Sequence, residues 1–320
     1  MRTETVGKTV IDTLGIRIEC SNTYEQKEIL DKLLNYISSN HPFYIDHKDH
    51  VINYVTGSFN REYLIYGSSK LLASITTMSF QVGKNRNKTV YFIKIVWAGI
   101  KKYNVFDKLS LVCMFSICSW LNSLGVILRL CELDVDIDIE SLFENILILP
   151  LNRVPNVTYY TPNEEQLFTE TTYIEKINVK RKDNLSSRSY LYSKNEKERL
   201  EDEIITRFEV ALKTAFFTNK STSFYELLQS IYKTLDRYAI LRFKNKNERN
   251  SIVQEYNHVI NSDIKNKSRK LNGLALSPYR LYHDVKFIED LLAMVFFTKD
   301  FHSNMNDEWF VETVLSNFNN

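Results

Sequence analysis

The segment that most restricts the fold of this chain is CELDVDID, residues 131–138, in which an acidic residue occupies every second position. Period two is the repeat of a β-strand, because successive side chains of a strand point to opposite faces. Together with the apolar GVILRL before it, the segment predicts a strand over residues 125–139. Leu133, Val135 and Ile137 would be buried on one face. The other face would carry four carboxylates: Glu132, Asp134, Asp136 and Asp138.

Carboxylates two residues apart on one strand face repel each other, so something has to compensate their charge. The sequence alone leaves three explanations open. They are bulk water around an exposed edge strand, basic neighbouring side chains, and a bound cation.

The composition argues against several other kinds of protein. A net charge of +2 on 320 residues gives no global attraction to nucleic acid or to a membrane surface. There are only 8 glycines, and neither GxGxxG nor GxxxxGK[ST] occurs, so a Gly-rich nucleotide-binding fold is not expected. The cysteines form no CxxC pair, and we expect reduced, buried thiols rather than a disulfide or zinc framework. They are Cys20, Cys113, Cys118 and Cys131.

The sequence also bears on location. The N-terminal MRTETVGKTVIDTLGIRIE lacks the apolar region of a signal peptide. Residues 109–128 are uncharged and long enough to span a bilayer, but they include four serines, an asparagine and a glycine. We interpret them as a buried helix over 107–123 that runs into the acidic strand. The expectation is a cytoplasmic protein with no membrane partner.

The organisation of the chain predicts an α+β fold, with a mostly antiparallel sheet and helices packed on it over residues 1–220. A helical C-terminal region would follow over 221–320, beginning with a helix over 224–243. Further predicted helices cover 23–39, 107–123 and 140–147, and 151–163 is predicted as a loop. Predicted strands cover 10–20, a meander within 51–97, 125–139, 170–180, 188–194 and 204–213.

Two of these predicted strands carry polar side chains with the same period-two spacing as the acidic strand. They are RSYLYSK (188–194) and the segment ITRFEVALK (205–213). If both are neighbours of the acidic strand, phenols, cations and carboxylates converge on one face of the sheet. The side chains concerned are Arg188, Tyr190, Tyr192 and Lys194 in the first segment, and Arg207 and Glu209 in the second.

Such a combination of side chains suits phosphate chemistry. Oxygen-only ligands favour Mg²⁺ or Mn²⁺, which would neutralise the acidic strand and polarise a scissile phosphate. A tyrosine phenol has an ordinary pKa of about 10. A metal ion or close cations would favour its phenolate, which could then attack phosphorus.

The three segments resemble, in order and rough spacing, the motifs of rolling-circle replication initiators of small plasmids and filamentous phages, the replication initiation factor or Rep_trans type. LCELDVDID is similar to that family's acidic strand, in which two aspartates are separated by three residues. SYLYSKNEKE is similar to its strand ending in tyrosine, a small or polar residue and lysine. ITRFEVALK is similar to its next strand, with Arg and then Glu. The resemblance covers roughly residues 10–215.

The resemblance implies specific roles for these residues. Asp134, Asp138 and Glu209 would bind the metal ion, and Tyr192 would be the nucleophile. Lys194 would be a cation beside the phosphate, while Arg207 would contact a backbone phosphate or hold Glu209. Two assignments stay open, because Tyr190 shares a face with Tyr192 and extra carboxylates surround the implied ligands. The alternatives are therefore Tyr190 as nucleophile, and Glu132 and Asp136 as metal ligands.

The implied activity is that of a site-specific DNA nicking and joining enzyme. It would cut one strand of an origin, form a 5′-phosphotyrosyl link and start rolling-circle replication, with residues 1–220 as the nicking domain. Its partners would be double- and single-stranded origin DNA, with a host helicase and polymerase, and a homodimer is conceivable. Two alternatives stay open: a non-catalytic DNA-binding replication-control protein on the same scaffold, and a metal-dependent nuclease or transposase that uses water.

The predicted helical region has the composition of a DNA-contacting surface. Residues 233–286 carry a local excess of Lys and Arg with aromatic residues interleaved, which suits phosphate contacts and base stacking. A solvated amphipathic tail is the simpler alternative. The DNA-binding candidates are Lys244, Lys246, Arg249, Lys267, Arg269 and Lys270, together with Arg188.

The histidines support no competing nuclease class. No HxH pair occurs, so a histidine-hydrophobe-histidine relaxase is not supported. DHKDH, residues 46–50, has a metal-like composition, but we interpret it as a polar loop.

Overall fold

The structure, a computed structural model, divides the chain into two compact units. The central unit comprises Met1–Val10 and Asp134–Asp284, and the N-terminal unit comprises Ile11–Leu133 and Val285–Asn320. The chain passes from one unit to the other after Val10, after Leu133 and after Asp284. The described residues are 8–40, 43–49, 61–67, 70–82, 88–102, 105–106, 108–150, 157–160, 171–176, 187–195, 204–218, 224–255, 279–280 and 292.

The N-terminal unit contains an antiparallel sheet and two long helices. The strands β1, β5, β4, β3 and β2 lie side by side in that order, and each neighbouring pair is antiparallel. Strand β8 lies next to β1, and its residues Cys131 and Glu132 are close to Gly15 of β1. The elements are β1 (Lys8–Cys20), α1 (Thr23–Asn40), β2 (Phe43–Asp49), β3 (Arg61–Gly67), β4 (Lys70–Val82), β5 (Lys88–Ala98), β6 (Lys101–Lys102), β7 (Val105–Phe106), α2 (Lys108–Ser123) and β8 (Leu128–Glu140).

The core of this unit lies between one sheet face and the two helices. Ile16 and Ile18 of β1 stand opposite Ile95 and Ile93 of β5, and all four are buried. Helix α1 contacts β5, and α2 contacts β4. Burying each such aliphatic side chain stabilises the fold by about 1.5–3 kcal/mol, so the alternation of β1 and β5 fixes which face carries the helices.

The end of helix α2 directs the chain into the acidic strand. Gly125 adopts φ 75°, a left-handed conformation that favours glycine, and its N–H donates to the Asn122 carbonyl at 2.9 Å. The next N–H, of Val126, donates to the Leu121 carbonyl at 3.2 Å. These bonds end the helix and allow β8 to begin at Leu128.

The central unit contains a second run of strands and a smaller sheet. Its strands β10, β11, β12, β13 and the second half of β8 lie in that order, and β9, β14 and β15 form a three-stranded sheet with β14 in the middle. The pairs whose register is defined are antiparallel. The elements are a 3₁₀ turn (Phe143–Asn145), β9 (Ile146–Pro150), β10 (Val157–Tyr160), β11 (Thr171–Lys176), β12 (Ser187–Ser193), β13 (Ile205–Leu212), α3 (Thr214–Thr218), α4 (Phe224–Leu235), β14 (Tyr238–Arg242), α5 (Lys246–Glu255) and β15 (Tyr279–Arg280).

The predicted α+β class with a mostly antiparallel sheet is confirmed, while several local predictions are wrong. The helix predicted over 140–147 is the end of β8, a 3₁₀ turn and the start of β9. The helix predicted over 224–243 is α4 followed by strand β14, because this short apolar run pairs with β9. The predicted loops at 151–163 and 46–50 contain β10 and most of β2. The first run of the predicted meander, HVINYVTG (50–57), lies outside the described residues.

The apolar segment 109–128 and the cysteines lie where the sequence predicts. Residues 108–123 form α2, and no helix among the described residues is long and apolar enough to cross a membrane. All four cysteines are free and buried. Burial raises the pKa of the Cys113 thiol to about 12, so this thiol is held in its neutral form.

Candidate active site

The three segments that carry the predicted site residues are neighbouring strands. Strand β13 lies between β12 and β8. Between β12 and β13, Tyr190 stands opposite Glu209 and Tyr192 stands opposite Arg207. The side chains that the sequence places on one face of each strand are therefore brought together on one face of the central unit.

The acidic strand is buried and not a solvated edge. Asp134, Asp136 and Asp138 are all buried, and Asp136 is 0% exposed. The apolar Val135 and Ile137 between them are buried as well. The explanation that bulk water compensates these carboxylates is therefore wrong for the central unit. Basic neighbouring side chains compensate their negative charge instead.

Arg207 bridges two of the buried aspartates. Its Nη1 lies 2.6 Å from Asp136 Oδ2, although this contact lacks hydrogen-bond alignment. Its Nε and Nη2 donate to the two oxygens of Asp138 at 2.6 and 3.0 Å, as a bidentate fork. Lys194 Nζ donates to the same Asp138 carboxylate at 3.1 Å.

The pKa values of this group follow from its contacts. Burial alone would raise the pKa of the Asp138 carboxyl, but the hydrogen bonds and charges of Arg207 and Lys194 outweigh burial and hold it below its usual value. Burial alone would lower the pKa of the Arg207 guanidinium, but Asp136 and Asp138 hold it above its usual range. Asp138 and Arg207 are therefore held in their charged forms.

Two further acidic residues of the strand, Asp134 and Glu132, are also paired. Lys213 Nζ lies 3.2 Å from Asp134 Oδ1. In the N-terminal unit, Lys94 donates to Glu132. Lys213 directly follows β13, two residues beyond Ala211, so extending the period-two pattern of Arg207 and Glu209 past the end of the strand would have found it. Nothing in the sequence around Lys94 indicates its partner.

Tyr192 is buried, and its environment opposes ionisation. It is 4% exposed, and its phenol donates to Glu209 Oε2 at 3.1 Å. Burial raises the pKa of the Tyr192 phenol, and the negative charges of Asp136 and Glu209 raise it further. The expectation that nearby cations favour its phenolate is therefore wrong for this arrangement, because burial and the carboxylates outweigh Arg207.

The other predicted catalytic residues occupy different environments. Tyr190, opposite Glu209, is only partly buried. Lys194 is 1% exposed and lies against Asp138, whereas the resemblance implies a phosphate-facing position. Arg207 holds Asp136 and Asp138, whereas the resemblance implies a contact to phosphate or to Glu209.

The residues do not fit a divalent metal ion in this arrangement. Among the described residues, no three His, Cys, Asp or Glu side chains are grouped so that they could hold one. On this face of the central unit, four carboxylates and four described basic side chains balance in charge. They are Asp134, Asp136, Asp138 and Glu209 against Arg188, Lys194, Arg207 and Lys213.

The opposite face of the same strands is supported by β14. The Tyr238 ring packs edge-on against Phe208 of β13, with centroids 5.2 Å apart. Ser189 of β12 donates to the Tyr238 hydroxyl at 2.6 Å, and both groups are buried. Sequence reasoning missed this support, because it assigned Tyr238 to a helix.

The predicted DNA-binding residues are distributed among different environments. Lys244 and Lys246 are exposed, and Lys246 lies 3.9 Å from Glu144. Arg249 is partly buried, and its Nε donates to the Ile146 carbonyl at 3.1 Å. Arg188, on β12, is partly buried. Lys267, Arg269 and Lys270 lie outside the described residues.

The comparisons with known proteins give similarity to solved structures and no match in sequence. No family model matches the sequence, and no curated protein matches it. Among solved structures, the chain is similar to a rolling circle replication initiator protein from Geobacillus stearothermophilus, with 11% identity and a TM-score of 0.38. The match covers 76% of this chain and 90% of the other.

Proposed function

We propose that the chain is a DNA nicking and joining enzyme that initiates rolling-circle replication. One observation carries the proposal. Strands β12, β13 and β8 are neighbours in that order, so three separately recognised sequence segments contribute to one face. Phenols, carboxylates and basic side chains that are far apart in the sequence contact each other there.

We assign the role of nucleophile to Tyr190 rather than Tyr192. A nucleophile has to reach a phosphodiester in solution, and Tyr190 is partly buried whereas Tyr192 is 4% exposed. Tyr192 also has its proton engaged with Glu209. Tyr192 then supports the site by holding Glu209, which stands opposite Tyr190.

The reaction exchanges one phosphate ester for another. The Tyr190 oxygen forms a bond to phosphorus, and the bond from phosphorus to the 3′ oxygen breaks. The phenol proton passes to solvent, and the leaving 3′ oxygen takes one up. The 5′ end stays attached to the protein, and the free 3′-OH primes a polymerase. Recruitment of a helicase and formation of a homodimer stay predictions.

A covalent adduct on supercoiled DNA carrying candidate origins is the decisive test. We expect the wild-type protein to form a denaturation-resistant protein–DNA adduct, Tyr190→Phe to form none, and Tyr192→Phe to retain it. The two variants differ by two positions on one strand, so each is the matched control of the other. Adduct loss in Tyr192→Phe alone would reverse the assignment, and its persistence in both variants would exclude these two tyrosines.

The burial of the site favours one alternative function. Tyr192 is buried, and basic side chains contact Asp134, Asp136 and Asp138, as in a structural ion-pair network. A non-catalytic DNA-binding replication-control protein would have this arrangement. It would bind origin DNA without cleavage. Nicking without an adduct would instead indicate the third alternative, a nuclease or transposase that uses water.

A further inference from the structure

The ion pairs around Asp136 and Asp138 disagree with the metal site that the sequence resemblance implies. We propose that Arg207 and Lys194 are the permanent counter-ions of Asp136 and Asp138. The two aspartates then bind no divalent cation while both basic residues are present. The inference concerns the ion pairs alone. It does not depend on whether the chain cuts DNA.

The first argument is geometric. Both oxygens of Asp138 are engaged, Oδ1 by the Nε of Arg207 at 2.6 Å and Oδ2 by Arg207 Nη2 at 3.0 Å and Lys194 Nζ at 3.1 Å. A magnesium ion needs carboxylate oxygens at about 2.0–2.1 Å in near-octahedral geometry. It would therefore have to replace the two basic groups and could not join them.

The second argument is electrostatic. The side chains of Asp136, Asp138, Arg207 and Lys194 are each at most 6% exposed, so little water screens the charges. An entering divalent cation would meet two positive charges within a few ångströms, and repulsion at that distance is stronger in a buried environment than in water. The cluster is already close to neutral, so no large negative potential remains to attract the ion.

The third argument concerns where a basic side chain could go if a metal ion displaced it from its aspartate. The side chain of Arg207, in the middle of β13, is only 4% exposed, so the guanidinium is largely out of contact with solvent. Lys213 differs, because its side chain is 29% exposed beside Asp134. Lys213 could leave its partner for solvent, so Asp134 is not part of the proposal and Lys213 provides a control.

The experiment measures Mn²⁺ binding by electron paramagnetic resonance of the free ion, with the full-length protein and millimolar Mn²⁺. The wild-type protein and the Asp138→Asn variant should bind the same amount of Mn²⁺, because Asp138 holds no Mn²⁺ in the wild type. Lys194→Gln and Arg207→Gln should each gain Mn²⁺ binding that Asp138→Asn removes, because each takes away a positive charge and at least one hydrogen bond from the Asp138 carboxylate. Lys213→Gln should behave as wild type.

Several outcomes would overturn the proposal. One is a wild-type Mn²⁺ site that Asp138→Asn abolishes. Another is a Lys194→Gln protein that melts cooperatively yet gains no Mn²⁺ binding, since the lysine would then not be what excludes the ion. An equal gain in Lys213→Gln would show that any lost positive charge suffices. If Arg207→Gln does not fold, the wild-type and Lys194→Gln measurements still decide.

Discussion

The phenolic oxygen of Tyr192 lies 3.1 Å from a carboxylate oxygen of Glu209 and donates its proton to it, across the pair of strands β12 and β13. This contact makes Tyr192 a hydrogen-bond donor inside the protein. It also fixes the side chain of Glu209 next to Tyr190, which stands directly opposite. The two tyrosines of one strand face are therefore not equivalent.

Replacing Tyr192 by Phe should destabilise the protein. The change removes a partly buried hydrogen bond to a carboxylate, which is worth about 1–3 kcal/mol in the free energy of unfolding. Urea denaturation followed by fluorescence would measure the loss. Tyr24→Phe is the control, because Tyr24 is 79% exposed and should leave the free energy of unfolding unchanged. Equal stability of both variants would contradict the hydrogen bond.

Replacing Arg207 by Gln should lower the free energy of unfolding far more than replacing Tyr192 by Phe. Asp136 and Asp138 would lose the guanidinium that contacts them both, and breaking a buried ion pair costs about 3–5 kcal/mol. Lys32→Gln breaks the exposed pair with Glu28 and should cost below about 1 kcal/mol. Thermal melting of the two variants gives the comparison. Similar melting temperatures for both would refute the buried network.

The stability of the protein should fall on acidification through Asp138. Its pKa in the folded state lies below the unfolded value of about 3.9, so its contribution is fully present above that pH and is lost as pH falls through the lowered folded pKa. In Asp138→Asn the free energy of unfolding should therefore depend less on pH below about pH 4. Glu28→Gln, which removes an exposed carboxylate, is the control. Parallel pH curves for wild type and Asp138→Asn would argue against this linkage.

Gly15 should tolerate no side chain. A Cβ added there would lie 2.8 Å from the Cβ of Glu132 on the neighbouring strand, an atom that cannot move without its backbone. A Cβ at Gly67 would meet the end of the Leu72 side chain at the same distance, and that end can rotate. We expect Gly15→Ala to lose about 1–3 kcal/mol of unfolding free energy and Gly67→Ala to lose less, by urea denaturation. The reverse order would contradict the close approach.

The strands of the site were predictable because their signal is local. The period-two pattern of β8, β12 and β13 fixes which side chains share a face, and a sheet with one polar face needs little further information. Asp136 and Glu209 are on the face that the pattern predicts. That the three strands are neighbours in one sheet was an assumption, and the observed strand order confirms it.

The environment of that face was not predictable, because it depends on distant partners. Arg207 lies 69 residues from Asp138 in sequence, and nothing near either residue indicates that they meet. Burial then reversed the expected effect on the Tyr192 phenol, since a buried phenol beside carboxylates keeps its proton. Strand β14 was missed for another reason. A short apolar run that is buried throughout has no periodicity that separates helix from strand.

The packing of Tyr238 against Phe208 and Ser189 has a practical consequence for anyone who shortens this protein. Ending the chain at residue 220 would keep every proposed catalytic side chain but remove the ring that covers the far side of β12 and β13. Phe208, which is 0% exposed in the full chain, would become part of an exposed apolar surface, and the fragment would tend to aggregate. A trimmed version suited to crystallography has to retain at least the residues through Arg242.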